Sequence, residues 1–150
     1  MVTYGVVIRT CKACGQRNRV GAEHLADGGR CGRCKAELAP SAEPIDVDEA
    51  EFGEIVSKAR VPVLVDFWAA GCGPCRMAAP SVKRVAQSMA GKAIVLKVDT
   101  DKQPRLAARF KVQGIPNFAV LNNGELVLQQ AGLVNHQQME AWLRQAGSRS

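Results

Sequence analysis

A run of β-branched and aromatic side chains occupies residues 61–68 and is interrupted by Asp66. Because apolar and polar positions do not alternate in it, the run predicts a strand buried on both faces of a parallel sheet. Residues 93–98 form a second such run, interrupted by Lys97. Together the two runs predict a central sheet with helices on both of its faces.

Helices and a hairpin are predicted around these strands. Asp48 and Glu51 have the spacing of a capping box. Asn135 and Gln138 suggest a second one, and an Asn-Gly turn at residues 122–125 predicts a hairpin. The predicted elements are a strand at 45–47, a helix at 48–59, a strand at 61–68, a helix to about 90 that Pro80 should bend, a strand at 93–98, a helix at 103–110, hairpin strands at 118–121 and 126–130, and a helix ending at Gly147.

The start of the chain has a different composition. Residues 1–38 are rich in Gly, Arg and Lys and poor in large apolar side chains, so they cannot build a core of their own. The prolines and small side chains of residues 39–44 predict a linker. We therefore expect a small segment at 1–38, a linker at 39–44, and an α/β domain with a mixed sheet at 45–150.

The formal net charge of +6 is concentrated at the start of the chain, where residues 1–40 carry seven Lys and Arg against three Asp and Glu. Aromatic residues are not interleaved with these cations, so nucleic acid is not the expected partner. The apolar stretches are too short to cross a membrane, and residues 1–9 are too short for a signal peptide. We expect a cytoplasmic protein, whose thiols are kept reduced.

Four of the six cysteines lie in the N-terminal segment as two Cys-x-x-Cys pairs: Cys11, Cys14, Cys31 and Cys34. Two pairs separated by sixteen residues predict a zinc ribbon in which four thiolates bind one zinc ion, with tight backbone at Gly15 and Gly32. Iron is the alternative metal, and two disulfides are the alternative without a metal. Because the metal replaces a core, the segment should fold only when loaded.

The third pair, Cys72 and Cys75, lies where the strand at 61–68 passes into the next helix. The free N–H groups and the dipole of a helix N-terminus favour a thiolate at the first cysteine, and the second lies one turn further on the same face. Gly73 lets the turn close tightly, and Pro74 suits the first helical turn. The arrangement predicts thiol–disulfide exchange. Two inert buried cysteines, or half of a metal site, are the alternatives.

The residues around this pair resemble the active-site region of the thioredoxin family. The similar stretches are residues 65–75, residues 77–80, Gly114-Ile115-Pro116, residues 122–125 and Gly132. With its N-terminal cysteines, the chain resembles the zinc-containing thioredoxin 2 type of bacteria. The resemblance implies a thioredoxin fold and a protein-disulfide reductase without an organic cofactor. The partners it implies are disulfide-containing proteins and an NADPH-dependent thioredoxin reductase.

The resemblance also implies roles for residues behind the cysteines. Asp66 matches a buried aspartate beneath the second cysteine, which takes and returns the proton of Cys75, and the alternative is a charge on the strand surface. Lys97 matches a lysine that pairs with this aspartate, and the alternative is an outward-facing edge lysine. Trp68 matches a tryptophan packed beside the active site.

A substrate groove is implied by further matching positions. Pro116 matches a cis-proline that packs against the active disulfide, and Ile115 before it would offer its backbone to an extended substrate segment. Gly73, Gly114 and Gly132 match surface positions around this groove.

Two positions depart from the family pattern. Gly71 stands where a tryptophan is usual, and Asn117 stands where a threonine is usual. Gly71 removes an aromatic contact from the substrate face and loosens the turn. We therefore expect the choice of partner to differ from that of the family while the exchange chemistry is kept.

A second hypothesis makes the N-terminal segment a zinc-dependent module that binds protein or nucleic acid, on a passive thioredoxin scaffold. The intact set of Asp66, Cys72, Cys75 and Pro116 argues for an enzyme instead. Within the enzyme hypothesis, an oxidase or isomerase is the alternative to a reductase. The zinc segment can have a structural or a redox-sensing role.

Overall fold

The computed structural model describes residues 6–147, so the first five and last three residues of the predicted domain ranges lie outside the described residues. In the described part, thirteen helices and strands follow one another, together with a turn of 3-10 helix at Ala22–His24. The elements are β1 (Val6–Thr10), β2 (Arg17–Gly21), β3 (Gly29–Arg30), β4 (Glu37–Leu38), β5 (Ile45–Asp46), α1 (Glu49–Lys58), β6 (Val63–Trp68), α2 (Gly73–Ser88), β7 (Ile94–Asp99), α3 (Pro104–Arg109), β8 (Asn117–Asn122), β9 (Glu125–Ala131) and α4 (His136–Gly147).

The central sheet has five strands in the order β5-β7-β6-β8-β9. Strands β5, β7 and β6 run parallel, and β8 and β9 join them antiparallel, which confirms the predicted mixed sheet and order of elements. Side chains on one face of the sheet pack with Phe52, Ile55 and Leu106, and those on the other pack with Val85 and Leu143. Strand β6 is therefore buried on both faces, as its continuous apolar pattern predicts.

Local capping follows the sequence closely at the first helix. Asp48 Oδ1 accepts the Glu51 N–H at 2.8 Å and Glu51 Oε1 accepts the Asp48 N–H at 2.9 Å, which confirms the capping box. At α4, Asn135 Oδ1 accepts the Gln138 N–H at 2.8 Å, which is one half of the second predicted box. Helix α2 continues through Pro80 and ends at Ser88.

The N-terminal segment, which we call the ribbon and define as residues 6–38, contains two small antiparallel sheets, β1 with β2 and β3 with β4. The sequence did not predict these strands, because they are short and their residues lack an apolar alternation. Leu38 and the buried Cys11 and Cys31 form the only small apolar cluster inside the described ribbon. This cluster is too small to hold two sheets together without a further ligand.

The ribbon is docked onto the α/β domain. Leu25 is fully buried and, with Ala22, belongs to the same apolar cluster as Phe52 and Val56 of α1. Beyond the ribbon, the Ser41 N–H donates to the Leu25 carbonyl at 2.9 Å. Residues 39–44 are thus hydrogen-bonded to the ribbon, while their predicted role as a domain boundary stays a prediction.

The docking site lies at one end of the central sheet. Pro40 and the carbonyl of Ala26 lie beside Gly91, in the loop that follows the C-terminal end of α2. The turn that carries Cys72 and Cys75, which we call the cysteine turn, lies at the N-terminal end of the same helix. The ribbon and the cysteine turn are therefore at opposite ends of a helix of 16 residues. Among residues 6–147, the structure contains no helix with both the length and the apolar character needed to span a membrane.

Candidate active site and candidate metal site

Cys72 directly precedes α2, in the short connection that follows β6 at the end of the sheet. Its Sγ accepts the N–H of Cys75 at 3.1 Å, so a free backbone donor of the first helical turn points at the sulfur. Cys72 is half-buried whereas Cys75 is only 4% exposed. The two are joined as a disulfide with their Cα atoms 5.3 Å apart. Of the two sulfurs, that of Cys72 is the one a partner can reach.

The loop before β8 lies against this disulfide. The Ile115–Pro116 peptide bond is cis, as the resemblance implies. The carbonyl oxygen of Ile115 is 3.7 Å from Cys72 Sγ. The N–H of Gly132, at the end of β9, donates to the Pro116 carbonyl at 2.8 Å. The cis-proline loop thus lies against Cys72 and is itself bound by the residue that follows β9.

The surface around the disulfide has small or apolar side chains. Gly71, Gly73, Pro74 and Gly114 are exposed, and a Cβ added at any of the three glycines would meet nothing within 4 Å. Two apolar side chains that the sequence analysis did not single out are also exposed here, Met77 at 69% and Leu133 at 54%. Leu133 directly follows Gly132, and Met77 lies in the first turn and a half of α2. An extended apolar segment of a partner fits such a surface.

Asp66 lies in β6 and is 2% exposed, so the alternative of a surface charge is excluded for this side chain. Burial raises the pKa of its carboxyl from 3.8 to about 7, the charge of Lys97 partly opposes this rise, and the charge of Asp46 adds to it. Its Oδ1 has no hydrogen-bond partner among the described residues. A carboxyl in this state can hold or release a proton near neutral pH.

Lys97 is half-buried and is the register neighbour of Asp66 on the adjacent strand. It forms no direct ion pair with Asp66 within the described residues; its Nζ lies 4.4 Å from the centroid of the Trp68 ring instead. The charge of Lys97 therefore acts on Asp66 through space. Trp68 is half-buried at the end of β6, beside the segment that leads to Cys72.

The four ribbon cysteines come together in one cluster. Their Sγ atoms all lie within 4.8 Å of one another, and the Cys11–Cys34 and Cys14–Cys31 separations are both 3.6 Å. Four sulfurs at about 2.3 Å from a tetrahedral zinc ion would be about 3.8 Å apart, so the cluster fits this metal. His24, which lies between the pairs in sequence, contacts Asp27 at 3.0 Å and takes no part in the cluster.

Each Cys-x-x-Cys loop of the ribbon turns through one residue with positive φ. These residues are Gly15 at φ +78° and Lys35 at φ +65°, so the tight backbone expected at Gly32 occurs at Lys35. The Gly15 N–H donates to the Cys11 carbonyl at 2.8 Å, and the Lys35 N–H donates to the Cys31 carbonyl at 3.0 Å. The Gly32 N–H instead donates to Asn18 Oδ1 at 2.9 Å.

The backbone of these loops also favours thiolates at Cys11 and Cys31. The N–H of Cys14 is the main cause that lowers the pKa of Cys11, and the N–H of Cys34 is the main cause that lowers the pKa of Cys31 to about 6.

Asn18 was missed by the sequence analysis because no spacing rule marks it. Its amide joins the strand after the first loop to the second loop. The donor set and its surroundings therefore suit a divalent, thiophilic metal.

Two family models match the chain. One described as Thioredoxin matches residues 43–145, and one described as Thioredoxin 2, N-terminal matches residues 10–36. The second match covers all four ribbon cysteines.

Individual proteins are similar over more than half of the chain. Thioredoxin C-3 of Corynebacterium nephridii is 38% identical over 139 residues, which are 93% of this chain and 94% of that protein. Thioredoxin 1 of Chlorobaculum tepidum is 48% identical over 86 residues, 57% of this chain and 85% of that protein. The structure of a mutant thioredoxin from Halobacterium salinarum NRC-1 superimposes with a TM-score of 0.67 at 30% identity, covering 71% of this chain and 93% of that one.

Proposed function

The chain belongs to the thioredoxin family and is a thiol–disulfide oxidoreductase, and on this premise we propose that Cys72 is its nucleophile and Cys75 its resolving cysteine. The observation that carries the assignment is the asymmetry of the pair. Cys72 is accessible and has the N–H of Cys75 on its sulfur, whereas Cys75 is buried. An exposed thiolate beside a protected second thiol is what disulfide exchange requires.

The reaction we propose has two exchange steps. The Cys72 thiolate attacks one sulfur of a substrate disulfide, a Cys72–substrate disulfide forms, and the other substrate sulfur leaves as a thiolate that takes up a proton. The Cys75 thiolate then attacks Cys72 Sγ, the Cys72–Cys75 disulfide forms, and the first substrate sulfur leaves as a thiolate and is protonated. Two electrons pass to the substrate, and the protein ends in the disulfide-bonded form described above.

In this proposal Asp66 accepts the proton of Cys75 before the second step and returns it when the dithiol is restored. A pKa near 7 suits this exchange because both protonation states are then accessible at neutral pH. Lys97 acts on Asp66 through its charge. Trp68, on whose ring Lys97 rests, fixes the position of that charge.

The substrate groove we propose is formed by Gly71, Gly73, Pro74, Ile115, Pro116 and Gly132. The Ile115 carbonyl beside Cys72 Sγ is placed to accept a hydrogen bond from an extended substrate backbone. Since Gly71 has no side chain and faces open space, bulky groups of a partner can approach Cys72 from this side.

For the ribbon we propose one zinc ion held by Cys11, Cys14, Cys31 and Cys34. When bound, zinc supplies the cross-link between the two loops that the small apolar cluster of the ribbon does not supply. The cysteines then have a structural role, and their oxidation would release the metal.

Family membership implies disulfide substrates in general and reduction by a thioredoxin reductase. We propose protein disulfides as the substrates and an NADPH-dependent flavin reductase as the partner that restores the dithiol. The groups described here need no organic cofactor for the exchange. The cytoplasm is the proposed location, because four clustered thiols persist in a reducing compartment.

The assignment is tested with the full zinc-loaded chain and insulin as the disulfide substrate, with dithiothreitol as reductant. We expect Cys72→Ser to lose the catalysed reduction. Cys75→Ser, reduced beforehand and freed of dithiothreitol, should accumulate with insulin a mixed disulfide at Cys72 that mass spectrometry of digested protein locates. Ala79→Ser, an exposed site on α2, is the matched control and should keep the wild-type rate. Wild-type rates in Cys72→Ser, or a mixed disulfide at a ribbon cysteine, would contradict the assignment. Reduction with NADPH and a bacterial thioredoxin reductase in place of dithiothreitol tests the partner.

A further inference from the structure

Three charged side chains form a row across adjacent parallel strands. Asp46 of β5 is the register partner of Lys97 of β7, and Lys97 is the register partner of Asp66 of β6. Register partners in a parallel sheet project from the same face, so Lys97 has a carboxylate on each side. This face carries the cluster that includes Leu64, Val95 and Phe118.

The row runs from the interior to the surface. Asp66 is 2% exposed, Lys97 is half-buried, and Asp46 is exposed at the edge of the sheet. A cavity of about 350 Å³ borders the outer part of the row and is lined by Asp46, Lys97 and Trp68, among others. Asp46 therefore lies between solvent and Lys97, the lysine whose charge acts on Asp66.

Other charged groups near the row have different partners or lie further out. On the cavity wall, Asp48 and Glu51 bind each other's backbone N–H groups, and Asp99 accepts the N–H groups of Asp101 and Lys102. Among the described residues, none of these groups forms an ion pair with Asp46, Lys97 or Asp66. The charged groups that line a cavity together with Asp46 are Asp99 of β7, Asp48 and Glu51 at the start of α1 and Lys102 after β7 in one cavity, and Arg9, Lys12, Glu37 and Glu43 in the other, on the ribbon side of β5.

We propose that Asp46 is a positioning residue for the dithiol chemistry: its carboxylate, at the exposed end of the row, opposes the charge of Lys97 and so sets how readily Asp66 takes up and returns the proton of Cys75. The inference rests on the proposed proton-transfer role of Asp66 and adds to it a residue outside the active site. Asp46 lies at the edge of the sheet and outside the proposed substrate groove, so it acts on the dithiol only through Asp66.

The sign of the effect follows from the charges. Lys97 lowers the pKa of Asp66 and Asp46 raises it. With Asp46 neutralised, its charge no longer opposes that of Lys97, which favours the ionised form of the Asp66 carboxyl. Two carboxylates two strand spacings apart, about 10 Å, interact strongly enough to move a pKa by about 0.3 to 1 unit, depending on how well water screens them.

The test is a pH titration of the Asp66 carboxyl carbon by NMR in the full zinc-loaded chain. We expect the midpoint in Asp46→Asn to fall by about 0.3 to 1 pH unit and to return toward the wild-type value in Asp46→Glu. Glu125→Gln, which removes the same charge at an exposed turn far from the row, should leave the midpoint unchanged. The pH profile of insulin reduction should shift in the same direction as the midpoint.

Two results would overturn the inference. One is an Asp66 midpoint in Asp46→Asn that matches the wild type. The other is an equal shift in Glu125→Gln, because an effect that belongs to the row requires the distant control to leave the midpoint unchanged. Asp66→Asn is the separate test of the proposed function: a wild-type rate and pH profile in that variant would remove the proton-transfer role, whereas the titration midpoints report on Asp46 regardless of rate.

Discussion

The cysteine turn and the ribbon use the same Cys-x-x-Cys spacing for different chemistry. At the turn the second cysteine lies in a helix, and the pair forms a disulfide in which one sulfur is accessible. In the ribbon each pair spans a loop with a positive-φ residue, and the four sulfurs stand about as far apart as a tetrahedral metal needs. The Cys-x-x-Cys spacing within a pair therefore does not decide the chemistry alone; the backbone that carries the pair and the presence of a second pair do.

The surroundings of the two sites reinforce this difference. Backbone N–H groups point at sulfur in both, which favours thiolates in both. The turn adds a cis-proline loop and a buried carboxyl, which suit a sulfur that must change partners. The ribbon adds Asn18, whose side chain connects the two loops, and this suits sulfurs that must keep the same metal ion as their partner.

Metal removal is expected to separate the two sites most strongly. Structural zinc contributes on the order of 10 kcal/mol to the folding of small ribbons, so chelation under reducing conditions should unfold β1–β4. Hydrogen exchange should show lost protection in these strands, retained protection in β6, and a retained rate of insulin reduction. Loss of protection in β6 at the same chelator concentration would mean that the two sites are one folding unit. Cys31→Ser should reproduce the effect without chelator.

Asp66→Asn should change the pH dependence of stability and the rate of the dithiol reaction, and should leave the metal content of the ribbon unchanged. The folded-state pKa of about 7 lies above the ordinary 3.8, so the stability linked to this carboxyl is complete below about pH 4 and is lost as the pH rises to about 7. The variant should therefore be more stable than the wild type above pH 8, by up to about 4 kcal/mol, and should turn over at least about 100-fold more slowly. Urea unfolding at pH 4 and pH 8, with metal analysis, checks this. A stability difference that does not depend on pH would contradict it.

Leu25→Ala probes the contact between the two regions. The side chain is fully buried between the ribbon and α1, so its truncation should cost about 2 to 4 kcal/mol of unfolding free energy. We expect reduced exchange protection around Ala22–His24 and α1, with unchanged zinc content and insulin reduction. Leu126→Ala, which truncates an exposed leucine in β9, is the matched control and should cost far less.

A pair of glycine substitutions should give the smallest effects. An alanine at Gly71 meets open space, so its effect on stability should stay within about 0.5 kcal/mol. An alanine at Gly15 must adopt φ +78°, which should cost about 1 to 2 kcal/mol and weaken retention of zinc. Urea unfolding and competition with a chromogenic chelator measure both. Equal costs at the two positions would contradict the assigned backbone roles.

Patterns local in sequence predicted much of this molecule. The double-sided burial of β6 followed from its composition, the start of α1 from Asp48 and Glu51, and the metal cluster from the spacing of four cysteines. What was missed depends on contacts between distant segments. The register that aligns Asp46, Lys97 and Asp66 is set by packing of whole strands. The burial of Leu25 in the core of another region has no local signature, since a single leucine among polar residues does not show which element it packs against.

The hydrogen bond from Ser41 to Leu25 has a consequence for how the molecule can be held. A free linker of six residues would have a root-mean-square reach of about 13 Å and would let the ribbon sweep over its neighbour. Here residues 39–44 are hydrogen-bonded to the ribbon through Ser41, and Leu25 is buried in the core of the α/β domain. The ribbon and the dithiol therefore keep a fixed orientation. A bead, a sensor surface or a second protein attached at the ribbon therefore leaves the dithiol facing outward, on the far end of α2.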